Sequence, residues 1–396
     1  MRERIQIKGF KSISKLELEL GRVTVLVGAN GSGKSNILEA IAFAAGACGW
    51  KLDNEFLISR GIRTTDPRFM PSQFEKESDS QIEVGAELRD GSEIGFTFMS
   101  VLDEGYPSWT AFPSRISLKD VTGEEVKTES LNEILPIFAN IESVDPSVEL
   151  SSDEKDKIAR RILVGLLKET QKNKQSLLAS YLIFAPELAT LRGLEREGQV
   201  LPLGTSGEGL LRLLQTISRE EGGQRWRDIH QTLQLLDWFS GFEVRDNGHS
   251  TEDKIAIEDR FLAEGRRFDQ RVANEGFLFL LFYAALFTAK QTPGIFAVDN
   301  IDSSLNPRTC SRLMARLVEL AVKYDKQVIL TTHNPALLDG LNLHDDEQRL
   351  YATSRTRDGR TKVTRVGPPE SVGGEPPVRL SEAFARGLIG GLPQNF

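Results

Sequence analysis

The 396-residue sequence predicts an α/β fold: a mixed-sheet head, an antiparallel β lobe and a helical insertion. Three observations predict it. An apolar run at 23–27 (VTVLV) leads through a glycine-rich turn into an Ala- and Leu-rich helix at 35–45 (SNILEAIAFAA), as a strand buried on both faces would. The last third repeats strand, helix, strand at the spacing of a parallel sheet with crossover helices. Between them, 81–126 holds short alternating runs of the kind that pair antiparallel.

The elements follow in order. Residues 4–7 (RIQI) and 15–20 (KLELEL) alternate, the second placing Leu16, Leu18 and Leu20 on one face. Residues 46–80 are rich in Gly, Pro and charge, with little periodicity, and read as an irregular insertion. QIEVGAEL and EIGFTFMSV then flank Arg89-Asp90-Gly91, whose Asp-Gly pair signals a hairpin; RISLKDV and Gly123 extend the pattern. An acidic stretch at 142–156 contains a helix start at Ser151-Ser152-Asp153-Glu154, giving a helix over 155–181, with others over 208–217 and 225–239. A very apolar helix at 276–289, strands at 295–298 (IFAV) and 327–330 (QVIL), and an amphipathic helix at 307–324 complete the last third. After them come a strand hairpin (RLYATSR, DGR, KVTRV), a Gly/Pro-rich stretch and one short helix with a loose end.

Composition excludes several classes. The longest apolar run, 277–289, has 13 residues, too short to span a bilayer, and the N-terminus has no apolar signal segment. Cys48 and Cys310 are the only cysteines and there are four histidines, which argues against a disulfide framework or a structural zinc site. A reduced, cytoplasmic chain with no membrane association is expected. The net charge is −8, yet residues 1–50 and 351–396 each carry +3, which leaves −14 for the middle. A uniform nucleic-acid-binding surface is excluded; a local basic one is not.

Gly28-Ala29-Asn30-Gly31-Ser32-Gly33-Lys34-Ser35 matches the phosphate-loop pattern GxxxxGK[ST], with a strand before it and a helix after it. Glycines let backbone N–H groups turn inward around a phosphate, and the helix N-terminus adds partial positive charge. The expected ATP-binding residues are Asn30, Gly31, Ser32, Gly33, Lys34, Ser35 and Asn36. Lys34 reaches the β- and γ-phosphates and the Ser35 hydroxyl ligates Mg²⁺. The strand IFAV ends in Asp299, the second partner expected for magnesium. The strand QVILTT ends in His333, on the same sheet edge, where it would touch the γ-phosphate or orient water.

At these residues the chain resembles the RecF/SMC-like branch of the ABC-type ATPases, which includes OLD-type and related prokaryotic antiphage-defence ATPases. The resemblance rests on IKGFKSISKLELELGRVTVLVGANGSGKSNILEAIAF, with its Phe10-Lys11-Ser12-Ile13 element, and on residues 272–343. It implies a P-loop NTPase of ABC type: an N-terminal ATPase lobe at 1–140, a mainly helical insertion at 141–265, a C-terminal ATPase lobe at 266–366 and a tail at 367–396. It also implies a homodimer or higher oligomer in which two heads sandwich ATP. Asn274 and Gly276 would then stand where the family's signature serine and glycine complete the partner's site, although Asn274 is equally an ordinary helix N-cap. The family's Asp-Glu pair is Asp299-Asn300 here, and an amide accepts no proton, so Asn300 loses the usual general-base role. Asp302 is the substitute candidate, or equally an interface residue. The family's sheet glutamine is not identifiable; Gln73 and Gln81 are the options.

Sixty-three residues follow His333, too few for the Toprim nuclease of OLD-type proteins, and no run sustains long coiled-coil arms. The expected function is a slowly hydrolysing ATPase that dimerises through ATP and regulates a separate effector, a nuclease or toxin acting in trans, in prokaryotic defence. The alternative is a RecF-like repair or recombination ATPase binding DNA directly through Arg2, Arg4, Lys8, Lys11 and Lys15. A non-hydrolysing ATP-held module is a third reading. A transporter subunit is disfavoured by the missing LSGGQ signature.

Overall fold

In a computed structural model, residues 3–48, 52–63, 67–74, 81–87, 91, 93–103, 106–119, 125–128, 178–193, 202–244, 255–263, 265–303, 305–369 and 377–391 are described. The acidic stretch, most of the helix expected over 155–181, Arg89, Asp90 and Gly123 lie outside them. The chain divides into two compact units: Met1–Leu20, Glu39–Leu57 and Arg63–Tyr181; and Gly21–Leu38, Ile58–Ile62 and Leu182–Phe396.

The first unit is built on an antiparallel sheet of β1 (Glu3–Phe10), β2 (Ile13–Leu20), β4 (Ile82–Glu87), β5 (Glu93–Asp103), β6 (Tyr106–Lys119) and β7 (Glu125–Thr128), in the order β2-β1-β4-β5-β6-β7. Alternation sets the register: Ile5 faces Leu18 and Ile7 faces Leu16, all buried. The later turns of helix α1 (Lys34–Cys48) cover this sheet, with Phe43 stacked on Phe98 at 4.3 Å and edge-on to Trp109 at 5.1 Å. The stretch 46–80 is less irregular than its composition suggests, since Asn54–Ser59 forms the short helix α2.

In the second unit, β3 (Val23–Gly28), β8 (Ile183–Phe184), β12 (Ile295–Val298), β13 (Gln327–Thr332), β14 (Gln348–Arg355) and β15 (Thr361–Val366) form a sheet in the order β15-β14-β3-β13-β12-β8. All neighbours are parallel except β15, which pairs antiparallel with β14. Short helices α3 (Leu188–Gly193), α4 (Leu210–Ser218) and α5 (Gln224–Leu233) precede a second, antiparallel sheet of β9 (Phe239–Val244), β10 (Ile255–Asp259) and β11 (Arg267–Asp269). The helix expected over 225–239 therefore stops at Leu233, and Phe239 opens a strand. Helix α6 (Glu275–Thr288) is buried from Phe277 to Thr288 without a polar face, which is why its apolar run is continuous. Helix α7 (Pro307–Lys323) is amphipathic instead, burying Cys310, Leu313, Met314 and Leu317; Asn306 caps it and Pro307 opens it. Helix α8 (Leu380–Ala385) follows near the C-terminus. Among the described residues no helix is long and apolar enough to cross a membrane.

Candidate functional site

β3, β13 and β12 are adjacent and parallel, so the segments after their C-terminal ends meet on one edge of the sheet, where α/β proteins bind ligands. β3 runs into the phosphate loop. Its two pattern-fixed glycines are required by neighbours rather than by flexibility alone. A Cβ on Gly28 would stand 2.1 Å from the Thr353 carbonyl oxygen, and one on Gly33 2.1 Å from Thr361 Oγ1. Gly33 also has φ +108°, a region side chains rarely enter.

Lys34 is only 5% exposed. Its Nζ donates to the carbonyls of Gly28 (2.9 Å) and Ala29 (3.0 Å) and lies 3.4 Å from His333 Nδ1. Burial lowers its pKa to about 8, against the raising pull of Asp299 and Asp302. The same burial, and then the Lys34 charge, hold the His333 pKa below its ordinary value. Ser32 Oγ is buried inside the loop and has no hydrogen-bond partner. Asn30 is exposed on the loop and Asn36 half-buried on α1.

The hydroxyl of Ser35 donates to Asp299 Oδ2 at 2.8 Å. Thr331 Oγ1 donates to the other oxygen of Asp299 and accepts the Asn300 N–H at 2.8 Å. Asn300 is one of three described non-glycine residues with positive φ (55°), a conformation Asn tolerates better than most side chains. Its side chain is exposed, whereas the Asp302 carboxylate accepts the His333 N–H at 3.2 Å. Lys34, Ser35, Asp299, Asp302 and His333 are thus brought together. Asn274 and Gly276 stand at the start of α6, where Asn274 Oδ1 accepts the Phe277 N–H at 2.8 Å, so the capping half of the sequence expectation is realised. Gln73 and Gln81 belong to the other unit.

Four contacts escaped the sequence reading. Thr331 orients Asp299; the strand end QVILTT was a signal for it, since a threonine there faces the neighbouring strand's acid. Arg355 Nε donates to the Gly31 carbonyl (2.8 Å), Thr361 Oγ1 to that of Ser32 (3.1 Å), and the Ala29 N–H to that of Gly391 (2.9 Å). These three join residues more than 320 positions apart and leave no local trace.

An oxygen pair of one hydroxyl and one carboxylate beside the phosphate loop suits Mg²⁺ completed by nucleotide phosphates. The unpartnered Ser32 hydroxyl and the inward-folded ammonium suit the phosphates themselves.

Over 45 residues the chain is 53% identical to the Chromosome partition protein Smc of Methanocaldococcus jannaschii, a stretch covering 11% of this chain and 4% of that protein. Among solved structures it is similar to an Smc head bound to the C-winged helix domain of ScpA, with TM-score 0.53 and 17% identity over 92% of this chain and 97% of that one. It is also similar to the SMC head domain from Thermotoga maritima, with TM-score 0.41 and 17% identity over 92% and 98% of the two chains. A family model described as "AAA domain, putative AbiEii toxin, Type IV TA system" matches residues 23–339, a span that holds the phosphate loop, Asp299 and His333. With most of its length inside that match and an SMC-head-like ATPase fold around it, the chain belongs to this AAA-domain family.

Proposed function

We propose that this protein binds ATP with Mg²⁺, hydrolyses it slowly, and uses ATP-dependent dimerisation to regulate a separate effector in prokaryotic antiphage defence. The observation that carries the reading is the 2.8 Å bond between Ser35 and Asp299, with Lys34 beside them. It joins residues 264 positions apart into the hydroxyl–carboxylate pair a nucleotide-bound magnesium needs. Lys34 turns from its own carbonyls to the β- and γ-phosphates, loop N–H groups and the α1 N-terminus surround them, and His333 faces the γ-phosphate. Magnesium supplies charge neutralisation on the transferring group. Asp302, held at the His333 backbone, is the carboxylate available to accept a proton from water, since Asn300 is not.

The family description names a toxin and a toxin–antitoxin system, which supports a role in defence or growth control. The similarity to an Smc head bound to a ScpA domain supports partner-protein binding. The 45-residue match to a chromosome partition protein supports direct DNA binding as the second reading. Titration with a fluorescent ATP analogue, phosphate release and light-scattering mass, each with and without Mg²⁺, test the proposal. Wild type should bind, turn over slowly and double in mass, and Lys34→Ala should do none of these. A wild-type protein that ignores ATP in all three would end it.

A further inference from the structure

The walls that brace the phosphate loop also enclose a groove. The β14–β15 hairpin forms one side, and α8 with residues 387–391 the other, around about 1210 Å³. That exceeds the ordinary range for a small-molecule pocket. Arg355, Arg357, Lys362 and Arg365 line it, and no carboxylate or aromatic ring does among the described residues. Among the described residues the nearby acids are engaged: Asp346 pairs with Arg365 at 3.2 Å, Asp358 with Arg360 at 2.9 Å, and Glu382 of α8 with Arg386. Among the described residues Arg355 meets only carbonyl oxygens, those of Gly31 and Gly359. Arg357 and Lys362 take part in no ion pair among the described residues.

Arg355, Arg357 and Lys362, three cations with no carboxylate partner among the described residues, repel one another and focus a positive potential into the concave surface they share. Guanidinium forks and an ammonium suit phosphate oxygens, while the missing aromatic rings leave bases no stacking platform. We propose that this groove binds a phosphate-bearing polyanion through Arg357 and Lys362, and that the phosphate loop senses the occupant through Arg355 and Gly391. The sensing route consists of hydrogen bonds from groove walls to consecutive parts of the loop: Arg355 to Gly31, and Ala29 to Gly391, with Thr361 on Ser32 beside them. A phosphate that draws the Arg355 guanidinium off the Gly31 carbonyl changes the loop that holds ATP, and by linkage ATP changes affinity in the groove. The sensing half rests on the ATP reading above; the binding half does not.

Two probes test it on the full chain at low salt: a short fluorescein-labelled oligo(dT), and sodium tripolyphosphate as its competitor or by calorimetry. At least one should bind, and the surface double variant Arg357→Glu/Lys362→Glu should weaken it at least about tenfold. That variant should retain wild-type affinity for a fluorescent ATP analogue without probe. In wild type, saturating oligo(dT), which has no polyphosphate to enter the phosphate loop, should shift the analogue's affinity; in the double variant it should not. Oligo(dT) binding alone assigns the groove to a nucleic-acid backbone, and binding of both assigns it to phosphate groups generally. Neither probe binding, binding untouched by the double variant, or binding lost in Lys34→Ala would overturn the site. Probe binding with unchanged ATP-analogue affinity would overturn the sensing. Failure of the ATP reading appears separately, as absent analogue binding with probe binding intact.

Discussion

Lys34 titrates unusually, and the sign of its shift gives a measurable consequence. Burial holds its folded pKa near 8 against an ordinary 10.5, so between those values the unfolded chain binds more protons and stability rises with pH. Below about 8 the site holds an ammonium whose lost hydration a bound polyphosphate offsets. Binding should therefore raise this pKa and take up about half a proton at pH 8. Calorimetric heats of nucleotide binding at that pH should change with the buffer's ionisation enthalpy. His333, whose pKa is lowered instead from 6.5, should contribute only in more acidic buffer, so His333→Ala should keep the pH 8 signal. Invariant heats across buffers at pH 8 would contradict this. The second residue-scale prediction concerns water activation. If Asp302 is the base, Asp302→Asn should cut phosphate release about a hundredfold. Asn300→Ala should stay within a few-fold, because that exposed amide accepts no proton from water. Equal effects of the two would reassign the base.

At the scale of elements, α5 and α7 are joined by a carboxylate in a cationic ring. The Asp228 side chain is 3% exposed and accepts from Arg316 (2.9 Å), Lys323 (2.6 Å) and Gln224 (3.3 Å), and from the Tyr324 hydroxyl. Burial alone would raise its pKa, but the bonds from Lys323, Tyr324, Gln224 and Arg316 outweigh that and bring it to about 2. This stability is present above pH 3.8 and lost as pH falls towards 2. Asp228→Asn leaves the cations facing an amide and should cost about 3 kcal/mol in urea unfolding at pH 7. The gap to wild type should close in acid; a constant gap would refute the pairing. Local pattern made the loop, Asp299 and His333 legible in the sequence, because each is a polar residue ending an apolar strand. It failed at β9–β11, where FSGFEV follows α5 after the short turn at 234–238 and its glycine interrupts the alternation. It was silent on Arg355, Thr361 and Gly391, whose contacts with the loop exist only once the sheet order has placed β14 beside β3.

For the whole molecule, the proposed sandwich is a symmetric dimer, and symmetry turns it into a mixing experiment. Each nucleotide would be held by one subunit's phosphate loop and completed by its partner's Asn274–Gly276 segment at the start of α6. Gly276→Glu places an anion in the first turn of α6, which the helix tolerates and the partner's ATP phosphates repel. Lys34→Ala disables the loop instead. Either variant alone spoils both composite sites of its homodimer. In a mixed dimer the two lesions fall together in one site and leave the other whole. Random exchange of equal amounts makes about half the dimers mixed, each with one working site of two, so turnover should recover to about a quarter of wild type. The double variant Lys34→Ala/Gly276→Glu, mixed with either single variant, offers no whole site and should stay inactive. If the Lys34→Ala and Gly276→Glu mixture is no more active than its components, each head works alone and the ATP sandwich is wrong.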